Sequence, residues 1–412
     1  YEHRGYGILD TGSLRRASRR FLGSSEEKRV GLRQAQTAKG EKMALNYIGS
    51  KLSLLDFIEN VVGYAIDEKI DVVGDLFAGT GAVGKLFKAK GCKIVSNDIQ
   101  HYSYVMNKKH IGICAPLSFS GLVSELPGLE AAEDKTSFVL DHLNNSTALY
   151  SGFIVENYSE AGTRGKKHTR LYFSDENALL IDTIRQRIET WAVDRKITED
   201  EYYYLLATLL EAADRVANTA SVYAAFLKVL KAPATKRLEL RQDEIIPSNR
   251  THKIFNDDIR NILNREPIDL LYLDPPYNGR QYDTNYHLLE TISRYDNPEI
   301  TGKTGLRKSK DQKSDFCRKR TVKQAFAQVV LHTQAKYILV SYNNEGLMSL
   351  SDVVEILTLR GTPKTYLRQY KRFRADKSEN RNYKAAATDE FLHVVRCDRS
   401  FKRYSEEKRV SW

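Results

Sequence analysis

Residues 270–279 read Leu-Leu-Tyr-Leu-Asp-Pro-Pro-Tyr-Asn-Gly, an apolar run stopped by an acid, two prolines and an aromatic ring. Asp274 is an acceptor. Pro275 and Pro276 fix the turn and remove two backbone donors, so the Pro275 carbonyl is a second, rigid acceptor. Two such acceptors suit an amino group with two hydrogens on a flat base, and Tyr277 offers a stacking face worth about 1–3 kcal/mol per base. A second stretch, Asp75 to Gly81, reads Asp-Leu-Phe-Ala-Gly-Thr-Gly. Its glycines let the backbone approach a ligand closely, and the helix that follows presents its first amides to a polar group. Asp98 closes the next apolar stretch and suits the two hydroxyls of a ribose. Gly79, Gly81 and Gly84 also satisfy the dehydrogenase dinucleotide pattern, and a plain strand-to-helix turn uses the same glycines. Neither alternative accounts for residues 274–277.

These groups need a sheet to bring them together. Residues 72–77 and 93–99 are short buried strands around a glycine loop and the helical stretch Ala-Val-Gly-Lys-Leu-Phe-Lys-Ala. This β–loop–α–β unit marks an open parallel sheet. Residues 52–66 carry apolar residues at helical spacing. Further strands are expected at 268–277, 336–343 and 391–397. Residues 171–231 read as mostly helical, with capping signals at Ser174 and Thr198. Residues 301–323 and 360–384 are strongly basic with little apolar periodicity, and suit phosphate contact; Arg307 within the first, and Arg280 ahead of it, are candidates to read a base. His287 and His332 sit on helical stretches as packing residues, and no metal-ligand spacing is present. The Tyr-Asn-Asn-Glu-Gly run at 342–346 suits a turn or a pocket wall.

The chain has 412 residues and a net charge of +11, which favours a polyanionic partner. Its four cysteines form no Cys-x-x-Cys pair, and none follows a proline, so the Pro-Cys nucleophile of carbon-5 cytosine chemistry is missing. Scattered thiols of this kind suit a reducing compartment. No apolar run reaches the roughly 18 residues of a membrane span. Residues 1–42 are polar and rich in Arg and Ser, and read as a disordered or non-native extension.

The order of Asn-Tyr-Ile-Gly-Ser-Lys (46–51), Phe-Ala-Gly-Thr-Gly (77–81) and Asp-Pro-Pro-Tyr (274–277) resembles the Dam-type, alpha-group N6-adenine DNA methyltransferases. The resemblance runs from about Leu45 onward. It implies an α/β, Rossmann-like class I methyltransferase fold: a mainly parallel twisted sheet flanked by helices, with a helical insertion. The catalytic domain would comprise residues 43–110 and 250–412, and residues 111–249 a mostly helical insertion suited to DNA recognition. Carried over, S-adenosyl-L-methionine is the cofactor, and Tyr47, Lys51, Asp75, Phe77, Ala78, Gly79, Thr80 and Gly81 contact it. Asp98 takes its ribose, and Asp258, with Asp257 as rival, reads its adenine amino group. Asp274, Pro275, Pro276 and Tyr277 hold a target adenine flipped out of double-stranded DNA. The resemblance also implies a bacterial, cytoplasmic, nucleoid-associated enzyme with a cognate restriction endonuclease as functional partner. Cytosine amino methylation, RNA methylation and a non-catalytic DNA-binding homologue are the alternatives.

Overall fold

The computed structural model describes residues 7–9, 51–220, 222–277, 279, 281–308, 313–371 and 387–398. Tyr47, Arg280, most of the N-terminal extension and parts of both basic segments lie outside the described residues. The strands are β1 (Gly7–Leu9), β2 (Val72–Asp75), β3 (Lys93–Asn97), β4 (Lys253–Phe255), β5 (Leu270–Leu273), β6 (Ile300–Thr301), β7 (Leu306–Arg307), β8 (Tyr337–Asn343), β9 (Lys364–Lys371) and β10 (Ala387–Arg396). Strands β6 and β7 form a separate hairpin, and the other eight make one sheet of order β1-β9-β10-β8-β5-β2-β3-β4. The run from β8 to β4 is parallel. At one edge β10, β9 and β1 add antiparallel.

The helices are α1 (Leu55–Ala65), α2 (Ala82–Ala89), α3 (His101–Asn107), α4 (Lys135–Asn144), α5 (Phe153–Tyr158), α6 (Glu160–Thr163), α7 (Asp175–Val193), α8 (Glu199–Val216), α9 (Ile259–Ile262), α10 (Tyr282–Asn285), α11 (His287–Arg294), α12 (Val322–His332) and α13 (Leu350–Thr358). Every residue of β5 is buried, as a strand covered on both faces requires. Its alternation divides the core. Leu270 and Tyr272 pack with Phe57 of α1 and Phe87 of α2. Leu271 and Leu273 point the other way, toward Val329 of α12 and Val353 of α13.

A third core belongs to the insertion, in which α7 and α8 pack around Ile184, Trp191 and Leu209. Thr198 and Glu201 form a capping box at the start of α8. Ser174 caps α7 without the reciprocal bond, because the residue three positions on is Asn177. This core also takes in Tyr102 of α3 and Leu288 and Ile292 of α11, so the insertion is welded to the segment that follows Tyr277.

Two expectations need correction. Residues 364–371, read as part of a basic loop, form β9, where Tyr366 is buried and pairs with Leu392 of β10; the long cationic side chains around it masked the alternation. His332 is exposed and bonds the Gln328 carbonyl at 2.8 Å, so it is no packing residue. His287 is fully buried. Among the described residues, no helix is long and apolar enough to cross a membrane.

Candidate active site

The chain runs outward from β2 through β3 to β4, then returns to place β5 on the other side of β2. That reversal opens a crevice at the carboxyl ends of β2 and β5, where open α/β sheets bind ligands. Asp75 ends β2 opposite Tyr272, and Asp274 follows two residues after Tyr272. A cavity lies here, and its wall includes both carboxylates. Phe77, Ala78, Gly79, Thr80 and Asp98 form one part of the wall, and Lys51, Pro276 and Tyr277 another. Asp257 and Asp258 also reach it. Pro275 is buried behind the wall and Gly81 sits off it.

The glycine loop is held from both sides. Gly79 has φ 52° and Gly81 φ 78°, in the left-handed region that glycine enters without strain. A Cβ on Gly81 would come within 2.8 Å of Asn107 Oδ1. Asn107 Nδ2 donates to the Gly79 carbonyl at 2.9 Å, and Ser103 Oγ donates to the same oxygen. Gly79 N donates to Asp98 Oδ2 at 2.9 Å, and Gln100 N to Asp98 Oδ1 at 2.9 Å. Each carboxylate oxygen retains a further lone pair for a ligand. Gly84, the third glycine of the dinucleotide pattern, serves packing: a Cβ there would strike Ile111 at 2.4 Å.

Asp258 is less free than its sequence position suggests. It caps α9 by accepting from Arg260 N, and its carboxylate takes Nε and Nη2 of the same arginine at 2.8 and 2.7 Å. That pairing holds Asp258 below the usual carboxylate range. Asp257 accepts from the Asp258 amide at 2.7 Å and from Asn261 at 2.9 Å.

At the other end of the cavity the Asp-Pro-Pro-Tyr motif joins a buried polar cluster. Lys51 Nζ lies 3.2 Å from Asp274 Oδ1 and 2.9 Å from Glu390 Oε1, and it donates to the Tyr277 hydroxyl. The Tyr277 hydroxyl donates to Asp274 Oδ1 and sits 3.1 Å from Glu390 Oε1. Ser341 Oγ donates to the same Glu390 oxygen at 2.7 Å. The Lys51 ammonium also stands 4.6 Å from the centre of the Tyr277 ring, and Tyr342 meets that ring edge-on at 5.3 Å. Burial pushes Asp274 up to about 6, against the pull of Lys51 and the Tyr277 bond, with Glu390 adding to the rise. Burial works to lower Lys51, yet Asp274 and Glu390 outweigh it and hold the ammonium above its ordinary value. Asp75 is raised well above the carboxylate range by burial and then by its neighbours Asp274 and Asp98.

A cover closes the cavity on the glycine-loop side. Phe316 meets Phe77 edge-on at 4.8 Å. Gln281 accepts from Ser314 N at 2.8 Å and donates to the Ser314 carbonyl at 3.2 Å, while Arg260 reaches Asp315 at 3.2 Å. Phe316, Gln281, Ser103, Asn107, Ser341 and Glu390 were not anticipated. Ser341 and Glu390 lie far along the chain from the groups they meet, and no local pattern marks any of the six. His110, Glu211 and Asp243 also converge, within 4.8 Å of one another. Lys109 already fills that cluster, 2.6 Å from Glu211 and 2.8 Å from Asp243.

Residues 47–356 match the family described as D12 class N6 adenine-specific DNA methyltransferase. The chain is 43% identical over 356 residues to the type II methyltransferase M.NlaIII of Neisseria lactamica, covering 85% of this chain and 99% of that protein. It is 35% identical over 335 residues to the type II methyltransferase M.CviAII of Paramecium bursaria Chlorella virus 1, covering 80% of this chain and 93% of that one. Against the type II methyltransferase M.FokI of Planomicrobium okeanokoites it is 38% identical over 361 residues, 86% of this chain but 53% of the longer relative. With a glycine loop and an Asp-Pro-Pro-Tyr motif on one cavity at the switch point of its sheet, the chain belongs to the D12 class of N6 adenine-specific DNA methyltransferases.

Proposed function

We propose that the enzyme draws its methyl group from S-adenosylmethionine and delivers it to an adenine flipped out of double-stranded DNA, with Asp274 and Tyr277 receiving the base. The observation that carries this reading is the single cavity shared by Gly79 and Tyr277.

The wall suits a cationic cofactor. Six of its side chains are acidic, Asp75, Asp98, Asp257, Asp258, Asp274 and Asp315, against two basic, Lys51 and Arg260, in a chain of net charge +11. Asp75 Oδ1 is buried without a partner, and so are both amide atoms of Gln100; such orphans are costly unless a ligand meets them. Asp75 and the glycine loop would hold the amino-acid end, Asp98 the ribose, and Asp258 or Asp257 the base. When bound, S-adenosylmethionine supplies a methyl group activated by its sulfonium. Asp274 accepts hydrogen bonds from the adenine amino group, which opposes delocalisation of the nitrogen lone pair and stabilises the positive charge developing there. The Tyr277 ring orients the base. Phe77 and Phe316 shield the cavity from water.

The same reading makes the insertion (111–249) the DNA-recognition region of a catalytic domain formed by residues 43–110 and 250–412. It places the enzyme in a bacterial restriction–modification system, protecting genomic DNA from a cognate endonuclease. The test is incubation of random-sequence duplex DNA with labelled S-adenosylmethionine, followed by modification-sensitive sequencing. N6-methyladenine confined to one short motif supports the reading, and label on cytosine or on RNA alone refutes it.

A further inference from the structure

Glu390 lies on β10, an antiparallel strand beyond the parallel part of the sheet, yet its side chain is buried against the Asp-Pro-Pro-Tyr motif. One oxygen, Oε1, receives Lys51 from ahead of α1 and Ser341 from β8, and lies 3.1 Å from the hydroxyl of Tyr277 after β5, whose single proton goes to Asp274. Lys51 is thereby shared between two carboxylates, 2.9 Å from Glu390 and 3.2 Å from Asp274. Both contacts made by Asp274, from Lys51 and from the Tyr277 hydroxyl, fall on Oδ1. Its Oδ2 takes no protein bond among the described residues.

We propose that Glu390 is a positioning residue for methyl transfer: by drawing Lys51 aside, it keeps Oδ2 of Asp274 free to receive the amino group of the target base.

The argument is one of competition for a single cation. A buried ammonium beside one carboxylate pairs with it as fully as geometry allows, because an unshared charge in a low-dielectric site is costly. With Glu390 uncharged, Lys51 has Asp274 alone as its anionic partner. The ammonium then swings onto that carboxylate and competes with the substrate for its oxygens. Among the described residues, the charged and titratable groups facing Glu390 are Lys51, Asp274, Tyr277, through space Tyr272 of β5, and its cross-strand neighbour Arg368 of β9, whose guanidinium pairs with Asp56 at 2.6 Å. Asp75 of β2 faces Asp274 from the far side.

The inference rests on the role given to Asp274 above, and the experiment separates the two. Full-length Glu390→Gln keeps the shape and acceptor of the side chain but removes its charge. Its kcat is expected to fall at least tenfold with the KM values for S-adenosylmethionine and DNA within twofold, and the acid limb of the rate profile moves to lower pH. Adding Lys51→Met to Glu390→Gln restores part of the lost rate, because the competing cation is gone. Lys51→Met alone moves the acid limb to higher pH, since Asp274 and Glu390 then face each other without a cation; this arm stands if Glu390→Gln fails to fold. A rate loss with no shift of the limb and no recovery in the double variant would mean a purely structural role and overturns the proposal. If Lys51→Met instead weakens cofactor binding and leaves the limb in place, Lys51 serves the cofactor and the proposal is again overturned. Asp274→Asn is the control: should it keep wild-type turnover, the reading of Asp274 itself fails, whatever Glu390 does.

Discussion

The backbone amide of Gly79, in the loop between β2 and α2, donates to Asp98, just past the end of the neighbouring parallel strand β3, at 2.9 Å. Asp98 thus does structural work before any ligand arrives, because the same carboxylate also receives the Gln100 amide at 2.9 Å. Asp98→Ala leaves both amides without their acceptor, at a cost of about 1.5–3 kcal/mol for each charge-assisted bond. The expected outcome is a lower melting temperature together with at least a tenfold weaker Kd for S-adenosylmethionine. Calorimetry and titration check the two effects separately.

Asp274→Ala is expected to reduce single-turnover methylation by about a hundred- to a thousandfold, the range for loss of one preorganised polar contact to developing charge. Cofactor affinity changes little, since the glycine loop and Asp98 are untouched. A variant that methylates at near-normal rate would remove Asp274 from the chemistry.

Burial raises Asp274 to about 6, and only the ionised form offers a full negative charge to the adenine amino group. The value of kcat/KM for the free enzyme is therefore expected to fall as pH drops through about 6. Stability runs the other way. The folded value lies above the ordinary one of about 3.9, so this group favours the folded state fully below the ordinary value. That contribution is lost as pH rises through about 6. Rate profiles and thermal melts across pH 4 to 8 should show the opposing trends.

Just ahead of the insertion, Lys109 lies 2.6 Å from Glu211 and 2.8 Å from Asp243, and the lysine and glutamate are almost wholly buried. Lys109→Ala leaves buried Glu211 beside Asp243 with His110 as its remaining partner, and breaking a buried pair from one side costs about 3–5 kcal/mol. Urea unfolding should show a loss of that size, while Lys196→Ala at the exposed Glu125 pair should shift the midpoint little.

The strand–loop–helix unit around Asp75 and the motif at Asp274 were legible in the sequence because each is contiguous: an apolar run, its punctuation and the reacting residues lie within ten positions. The capping residues Ser174 and Thr198 were legible for the same reason. Strand β9 was hidden because Tyr366 is its buried side chain among Lys364, Thr365 and Arg368, a pattern that reads as a charged loop. Glu390 was hidden by distance, since Lys51 and Tyr277 lie 339 and 113 residues before it. The pairing that seats β10 beside β8 sets its position, and that register is written in two separated strands. Asp258 was found by its place after β4, but nothing local showed that Arg260 would hold both of its oxygens.

The cluster of Lys51, Asp274, Tyr277 and Glu390 draws on the beginning, the middle and the far end of the described chain. A polypeptide still emerging from the ribosome therefore holds the glycine loop and the Asp-Pro-Pro-Tyr turn long before it holds a finished centre. Competence waits for the last strand to dock, and long-range closure of this kind is slow. A nonsense codon between the Asp-Pro-Pro-Tyr turn and β10 would yield a chain that retains its recognisable motifs without the machinery to use them.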